Sequence, residues 1–86
     1  MKSAGMIILR IVAAGHPIGV NERLVVRVLE SLSLTHTQVR VRAELRDLCD
    51  EGVVEIIDQG EDGWGVKATR QGLSLVKIAE RSAGAA

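Results

Sequence analysis

Between Thr35 and Thr69 the pattern of apolar and polar positions changes period once, from helical to alternating, and the change falls at a glycine. Val41, Leu45 and Leu48 recur at helical spacing and so share one face. Thr35 and Gln38 stand at the spacing of a capping box, in which each side chain satisfies a free backbone N–H of the other, so a helix is predicted to open at His36. Gly52 offers the left-handed conformation that ends a helix, which puts the stop near Glu51. Val53 to Asp58 then brings β-branched residues, Gln59 to Gly63 supplies turn chemistry, and Trp64, Val66 and Ala68 alternate with Gly65, Lys67 and Thr69. A helix running into a tight two-stranded antiparallel hairpin is expected.

The flanking blocks read as helices. Ile7, Ile8, Leu9, Ile11 and Val12 cover most of the surface of a first helix predicted over 4–14, capped by Ser3 and ended by Gly15 and Pro17. The run MIILRIV would also suit a strand; its all-round apolar character fits a helix that is buried. Asn21 is a good N-cap for a second helix over 22–33, with Leu24, Val25, Val28, Leu29 and Leu32 as its apolar stripe and Arg23, Arg27 and Glu30 mostly off it. Thr69 can cap a last helix over 70–82, packing inward through Leu73, Val76 and Ala79 or through Leu75 and Ile78, while the tail 83–86 frays. The expectation is a single α+β domain over 1–86, mostly α: three helices, a hairpin and a closing helix.

Composition narrows the function classes. A chain of 86 residues can build one core but not a core and a deep enclosed catalytic cleft. Phe and Tyr are absent and Trp64 is the only aromatic, so the core must come from Leu, Ile, Val and Ala, and stacking on single-stranded nucleic acid is disfavoured. Cys49 has no partner for an internal disulfide and fits a small buried hydrophobe in a reducing, cytoplasmic setting. The opening MKSAGMIILRIVAAG has a signal-peptide look, but Arg10 interrupts an apolar run already too short to span a membrane, so no membrane association is expected.

Net charge is zero but unevenly spread. Residues 1–46 hold seven Lys/Arg against three Asp/Glu, a balance of +4, and residues 47–86 hold four against eight, a balance of −4. A neutral chain lacks a strong global pull on nucleic acid, so any such contact must be local.

Taken together, three helices, a hairpin and a closing helix resemble the winged helix-turn-helix superfamily of bacterial regulators across nearly the whole chain. LRDLCDEGVVEII is similar to the passage from recognition helix into wing, and WGVKATRQGLSLV to the return from wing into a final helix. The length and the ILRIVAAG opening also look like the small winged-helix proteins of Mu-like prophages, often labelled as regulators of the ArsR or MarR kind. The resemblance implies a transcription regulator that binds double-stranded DNA, with the helix over 36–51 in the major groove. His36, Thr37, Gln38, Val39, Arg40, Ala43 and Arg46 are then the residues for DNA contact, with Arg42 on a flank. Arginine can grip guanine or a phosphate, valine can meet a thymine methyl, and alanine lets the backbone come close. The plainer reading of these arginines is a solvated face paired with Glu44, Asp47 and Asp50. A homodimer burying Ile7, Ile8 and Ile11 with part of the 73–78 helix is expected, because the first helix is too apolar for a lone domain to cover. The ArsR-type metal-binding cysteine pair is missing, so metal sensing is not implied.

The hairpin departs from the DNA-binding pattern. Glu55, Asp58, Glu61 and Asp62 surround it with only Lys67 opposing, whereas a wing that clamps phosphates carries Arg or Lys at its tip. That raises an alternative, a winged-helix module that binds protein through the acidic wing or the apolar first helix and does not bind DNA. Enzyme activity is not expected: His16 and His36 form no nucleophilic pattern with Asp or Cys, and the single thiol has no activator in the sequence. Asp58, Asp62 and Gly63 match three positions of a calcium loop, but Gly60 and Thr69 miss two others, so DQGEDG reads as a hairpin turn and no metal or other cofactor is expected. Trp64 should lay its ring on the core beside the wing.

Overall fold

The computed structural model describes residues 3–34 and 36–84. Its elements are α1 (Ser3–Ala14), β1 (Val20–Asn21), α2 (Glu22–Ser31), α3 (Gln38–Asp50), β2 (Val54–Gly60), β3 (Gly63–Ala68) and α4 (Arg70–Gly84). The expected helices and hairpin are present in the expected order. The sheet, however, has three strands in the order β1-β3-β2, all antiparallel. The added strand pairs Val20 with Val66 and Asn21 with Gly65, and it is too short to show an alternating pattern in the sequence.

α1 starts at Ser3, which is therefore its first residue and not its cap. Ile8, Leu9 and Val12 are completely buried, and Ile7 and Ile11 pack against them half-buried. This helix is the spine of the core, in contact with α2, α3, α4 and β3. The fold thus covers most of its apolar surface without a partner, which corrects the expected dimer interface: Ile8 cannot contribute to one. The rest of the core is Val25 and Leu29 from α2, Val41, Leu45 and Leu48 from α3, Val53 and Val54, Trp64, Val66 and Ala68 from β3, and Val76 from α4. Each large aliphatic side chain so removed from water contributes about 1.5–3 kcal/mol before chain entropy is counted.

The start of α3 differs from the prediction. Thr37 is the N-cap, its Oγ1 accepting the Arg40 backbone N–H at 3.1 Å, so the helix opens at Gln38 and His36 precedes it. Thr35 lies outside the described residues. At the other end, Gly52 takes φ +81°, its N–H donates to Cys49 O at 2.9 Å and Val53 N–H donates to Leu48 O at 3.1 Å. This is a Schellman ending, and it turns Val53 straight into the core.

The hairpin turn is tighter than the 59–63 stretch expected: Gly60 pairs with Gly63, leaving Glu61 and Asp62 between them. Neither of those two has positive φ, so Gly63 takes it, at φ +105°. A register shift at Ile57 breaks the β2–β3 ladder and leaves that side chain half-exposed on the outer face. Thr69 caps α4, accepting the Gly72 N–H at 3.1 Å while its hydroxyl donates to Gly52 O at 2.7 Å, which ties α4 to the end of α3. α4 runs to Gly84, two residues beyond the end expected at Ser82.

Candidate nucleic-acid interface

α3 has one buried face and one bare one. Val41, Leu45 and Leu48 point into the core, and at roughly 100° per residue the opposite pole is taken by Val39, Ala43, Arg46 and Asp50. Val39 is 78% exposed. Ala43 and Arg46 are exposed as well. Arg40 sits further round, its side chain 60% exposed and its Nε 3.7 Å from Glu44 Oε1. An ion pair that long and open is weak, so Arg40 is free to take a stronger anion. Glu44 itself is buried on the flank of the core face. The plainer reading of the arginines therefore holds for Arg40 and Glu44; Asp47 and Asp50 form no ion pair among the described residues.

Arg42 is bound elsewhere. Its Nε donates to Glu22 Oε2 at 2.8 Å and its Nη2 to Glu22 Oε1 at 2.6 Å, a two-pronged pair in which the Arg42 side chain keeps 37% exposure and the Glu22 side chain none. Gln38 Nε2 donates to the same Oε1 at 2.9 Å. The Arg42 hydrogen bonds hold the Glu22 carboxyl below its ordinary range against the opposing effect of burial, helped by Gln38 and by the Trp64 backbone N–H. Arg42 and Gln38 were both expected at the DNA. Both also serve this buried carboxylate, and releasing either would strip a charge in the interior of a partner.

The same arginine lies over Trp64, its guanidinium carbon 5.0 Å from the ring centroid, and that of Arg46 lies 5.1 Å from it. Trp64 is buried as predicted, and part of its cover is cationic. Val39, Arg42, Ala43, Arg46, Asp47, Asp50 and Trp64 together line an open depression of about 540 Å³ between α3 and β3. His36 stands outside the helix, half-buried, with Nδ1 3.2 Å from Leu34 O, and the Thr37 hydroxyl is spent on the cap. Of the eight residues singled out by sequence, the structure presents Val39, Arg40, Ala43 and Arg46 on one free surface and ties Thr37, Gln38 and Arg42 into the fold.

Sequence reasoning missed the central part played by Glu22. An acidic residue after an N-cap is explained by the helix dipole alone, and nothing local announces a partner 20 residues away. It also passed over Arg23 and Arg27, which lie one turn apart on the exposed side of α2 and share a shallow surface with Val26, Glu30 and Gln38 beside the α3 start. The hairpin tip is fixed by Asn21, whose Nδ2 donates to Asp62 O at 3.1 Å while its Oδ1 caps α2 through the Arg23 N–H at 2.8 Å. Glu55, Asp58, Glu61 and Asp62 are all exposed, so the acidic character of the hairpin is real at the surface. The Asp58 carboxylate accepts the Gly60 N–H at 3.0 Å, an Asx turn that accounts for the DQGEDG pattern.

No protein-family model matches the sequence, and no curated protein does. Solved structures match by shape. RosR of H. salinarum superposes with a TM-score of 0.83 at 17% identity, over 96% of this chain and 74% of that one. The S. aureus MepR–DNA complex gives 0.76 at 17% identity, over 94% and 63%, and S. pneumoniae FabT in complex with DNA gives 0.76 at 17%, over 99% and 56%. The fold is a winged helix-turn-helix. β2 and β3 form its wing, and α2 with α3 its helix-turn-helix. The chain spans less than two thirds of the MepR and FabT chains, and identities this low carry the fold alone. No helix among the described residues is long and apolar enough to cross a membrane.

Proposed function

We propose that this winged helix is a DNA-binding transcription regulator that places α3 in the major groove. The observation that carries the reading is the outward face of α3, where Val39, Arg40, Ala43 and Arg46 are exposed while the opposite face locks the helix to the core. Two of the chains that share the fold, MepR and FabT, are seen with DNA. Arg23 and Arg27 extend the cationic surface onto α2, at the position from which a helix-turn-helix holds phosphates. The regulator acts in the cytoplasm as a homodimer, since one recognition helix reads only a short site. Ile78, 59% exposed on α4, leaves an apolar side chain for the second copy, with half-buried Leu75 one turn before it. The ILRIVAAG opening supports a prophage origin.

The test is selection of bound fragments from a random duplex library, followed by the double variant Arg40→Ala/Arg46→Ala on the selected site. Both side chains project outward, so the fold should be unchanged by circular dichroism. Affinity should fall by about 1–3 kcal/mol per lost contact, and the salt slope should shrink by about one for each that reached a phosphate. Failure to retain any fragment, or a double variant that binds as the parent does, removes the reading. In that event the acidic wing becomes the surface to probe, for a basic protein partner.

A further inference from the structure

The ties that hold Gln38 and Arg42 to Glu22 decide what the deepest part of α3 can read. In a helix-turn-helix the N-terminal residues of the recognition helix reach furthest into the groove. Within the first two turns of α3, no polar residue sits at the outward pole itself. Gln38 and Arg42 lean to the Glu22 side, and Arg40 leans to the Glu44 side. What remains at the pole is Val39, bare to solvent, and Ala43 one turn later, with no hydrogen-bonding group on either. The nearest cation on that pole, Arg46, lies a further turn on and is steadied over Trp64.

An apolar pair at this position has one favourable partner on the floor of the major groove. Every base edge there offers a donor or an acceptor, and only the C5-methyl group of a pyrimidine offers apolar surface. Resting on the DNA-binding reading above, we propose that Val39 and Ala43 select a pyrimidine C5-methyl group at one position of the bound site. Thymine supplies it in ordinary DNA and 5-methylcytosine in modified DNA. Burying one methyl against Val39 should be worth about three- to fivefold in affinity.

The experiment uses the selected duplex with thymines replaced one at a time by uracil, which removes the methyl and leaves every hydrogen-bonding group in place. One position should lose about three- to fivefold with the parent protein. The variant Val39→Ala should bind the thymine duplex more weakly by a similar factor and should no longer distinguish thymine from uracil there. Val39 is exposed, so the variant keeps the fold. At the same position, cytosine replaced by 5-methylcytosine should recover part of the loss that cytosine causes, which separates the methyl from the rest of the base. Equal uracil sensitivity in parent and Val39→Ala would place the effect in DNA stacking and overturn the inference while DNA binding stands, as would no sensitivity at any position. A library that yields no bound fragment removes both readings together.

Discussion

Glu22 concentrates more of the structure than any other residue. It receives Arg42 and Gln38 from α3 and the Trp64 backbone from the wing, so a single carboxylate joins the three parts that form the surface. Removing a buried acceptor leaves its donors unsatisfied, and Glu22→Ala should cost about 1–3 kcal/mol of stability, read as a lower thermal midpoint. The pH dependence has a definite sign. The folded carboxyl titrates below its ordinary value of 4.5, so between the two values the unfolded chain binds more protons and stability rises with pH. The contribution is complete above about pH 4.5 and is lost as pH falls through the lowered folded value. Thermal melts from pH 7 to pH 2 should show a steep acid limb in the parent and a shallower one in Glu22→Gln. Identical limbs would mean that the pair contributes no net stability.

At the scale of elements, the wing is held by a glycine as well as by its ladder. A Cβ on Gly63 would stand 2.8 Å from Asn21 Oδ1 and 3.1 Å from Glu22 Oε1, on a backbone at φ +105°. Gly63→Ala should therefore destabilise by on the order of 1–3 kcal/mol and loosen Asn21 from the turn. Trp64 is the sole aromatic, so its fluorescence reports this region alone, and a red shift in the variant would register the loosening. The wing tip asks a separate question. Glu61 and Asp62 would repel phosphates if the wing lay along the duplex, and Glu61→Gln/Asp62→Asn removes both charges with little change of shape. This variant should bind the selected DNA more tightly at low salt, with the gain shrinking as salt rises. Equal affinity at every salt concentration would show that the wing points away from the DNA and that α3 carries recognition alone.

For the whole molecule, the charge split of +4 over 1–46 and −4 over 47–86 puts the cations of α2 and α3 in one half of the sequence and the acidic wing in the other. Assembly rests on less than the composition suggested, because α1 spends Ile8, Leu9 and Val12 on its own core. The apolar side chain that α4 leaves for a second copy in the proposed dimer is Ile78, with half-buried Leu75 one turn before it. Light scattering at roughly tens of micromolar should return the dimer mass, and Ile78→Asp should return the monomer with the fold intact. A monomer mass for the parent would remove the homodimer from the proposal.

The four helices and the hairpin, though not β1, are written in local terms: the stripe Val41, Leu45, Leu48 for α3, the Gly52 ending, the Asn21 and Thr69 caps, and the alternation from Trp64 to Ala68. The sequence by itself also put Val39, Arg40, Ala43 and Arg46 on the outward side, since helical rotation alone does that. What the tertiary structure decided was which polar residues are free. Gln38 and Arg42 hydrogen-bonded to Glu22, Arg46 laid over Trp64, and α1 packed against four other elements all depend on contacts between segments distant in the chain. Periodicity reports the direction in which a side chain leaves its own helix. It carries no information about a charge waiting on another helix, and a buried carboxylate binds strongly enough to override it.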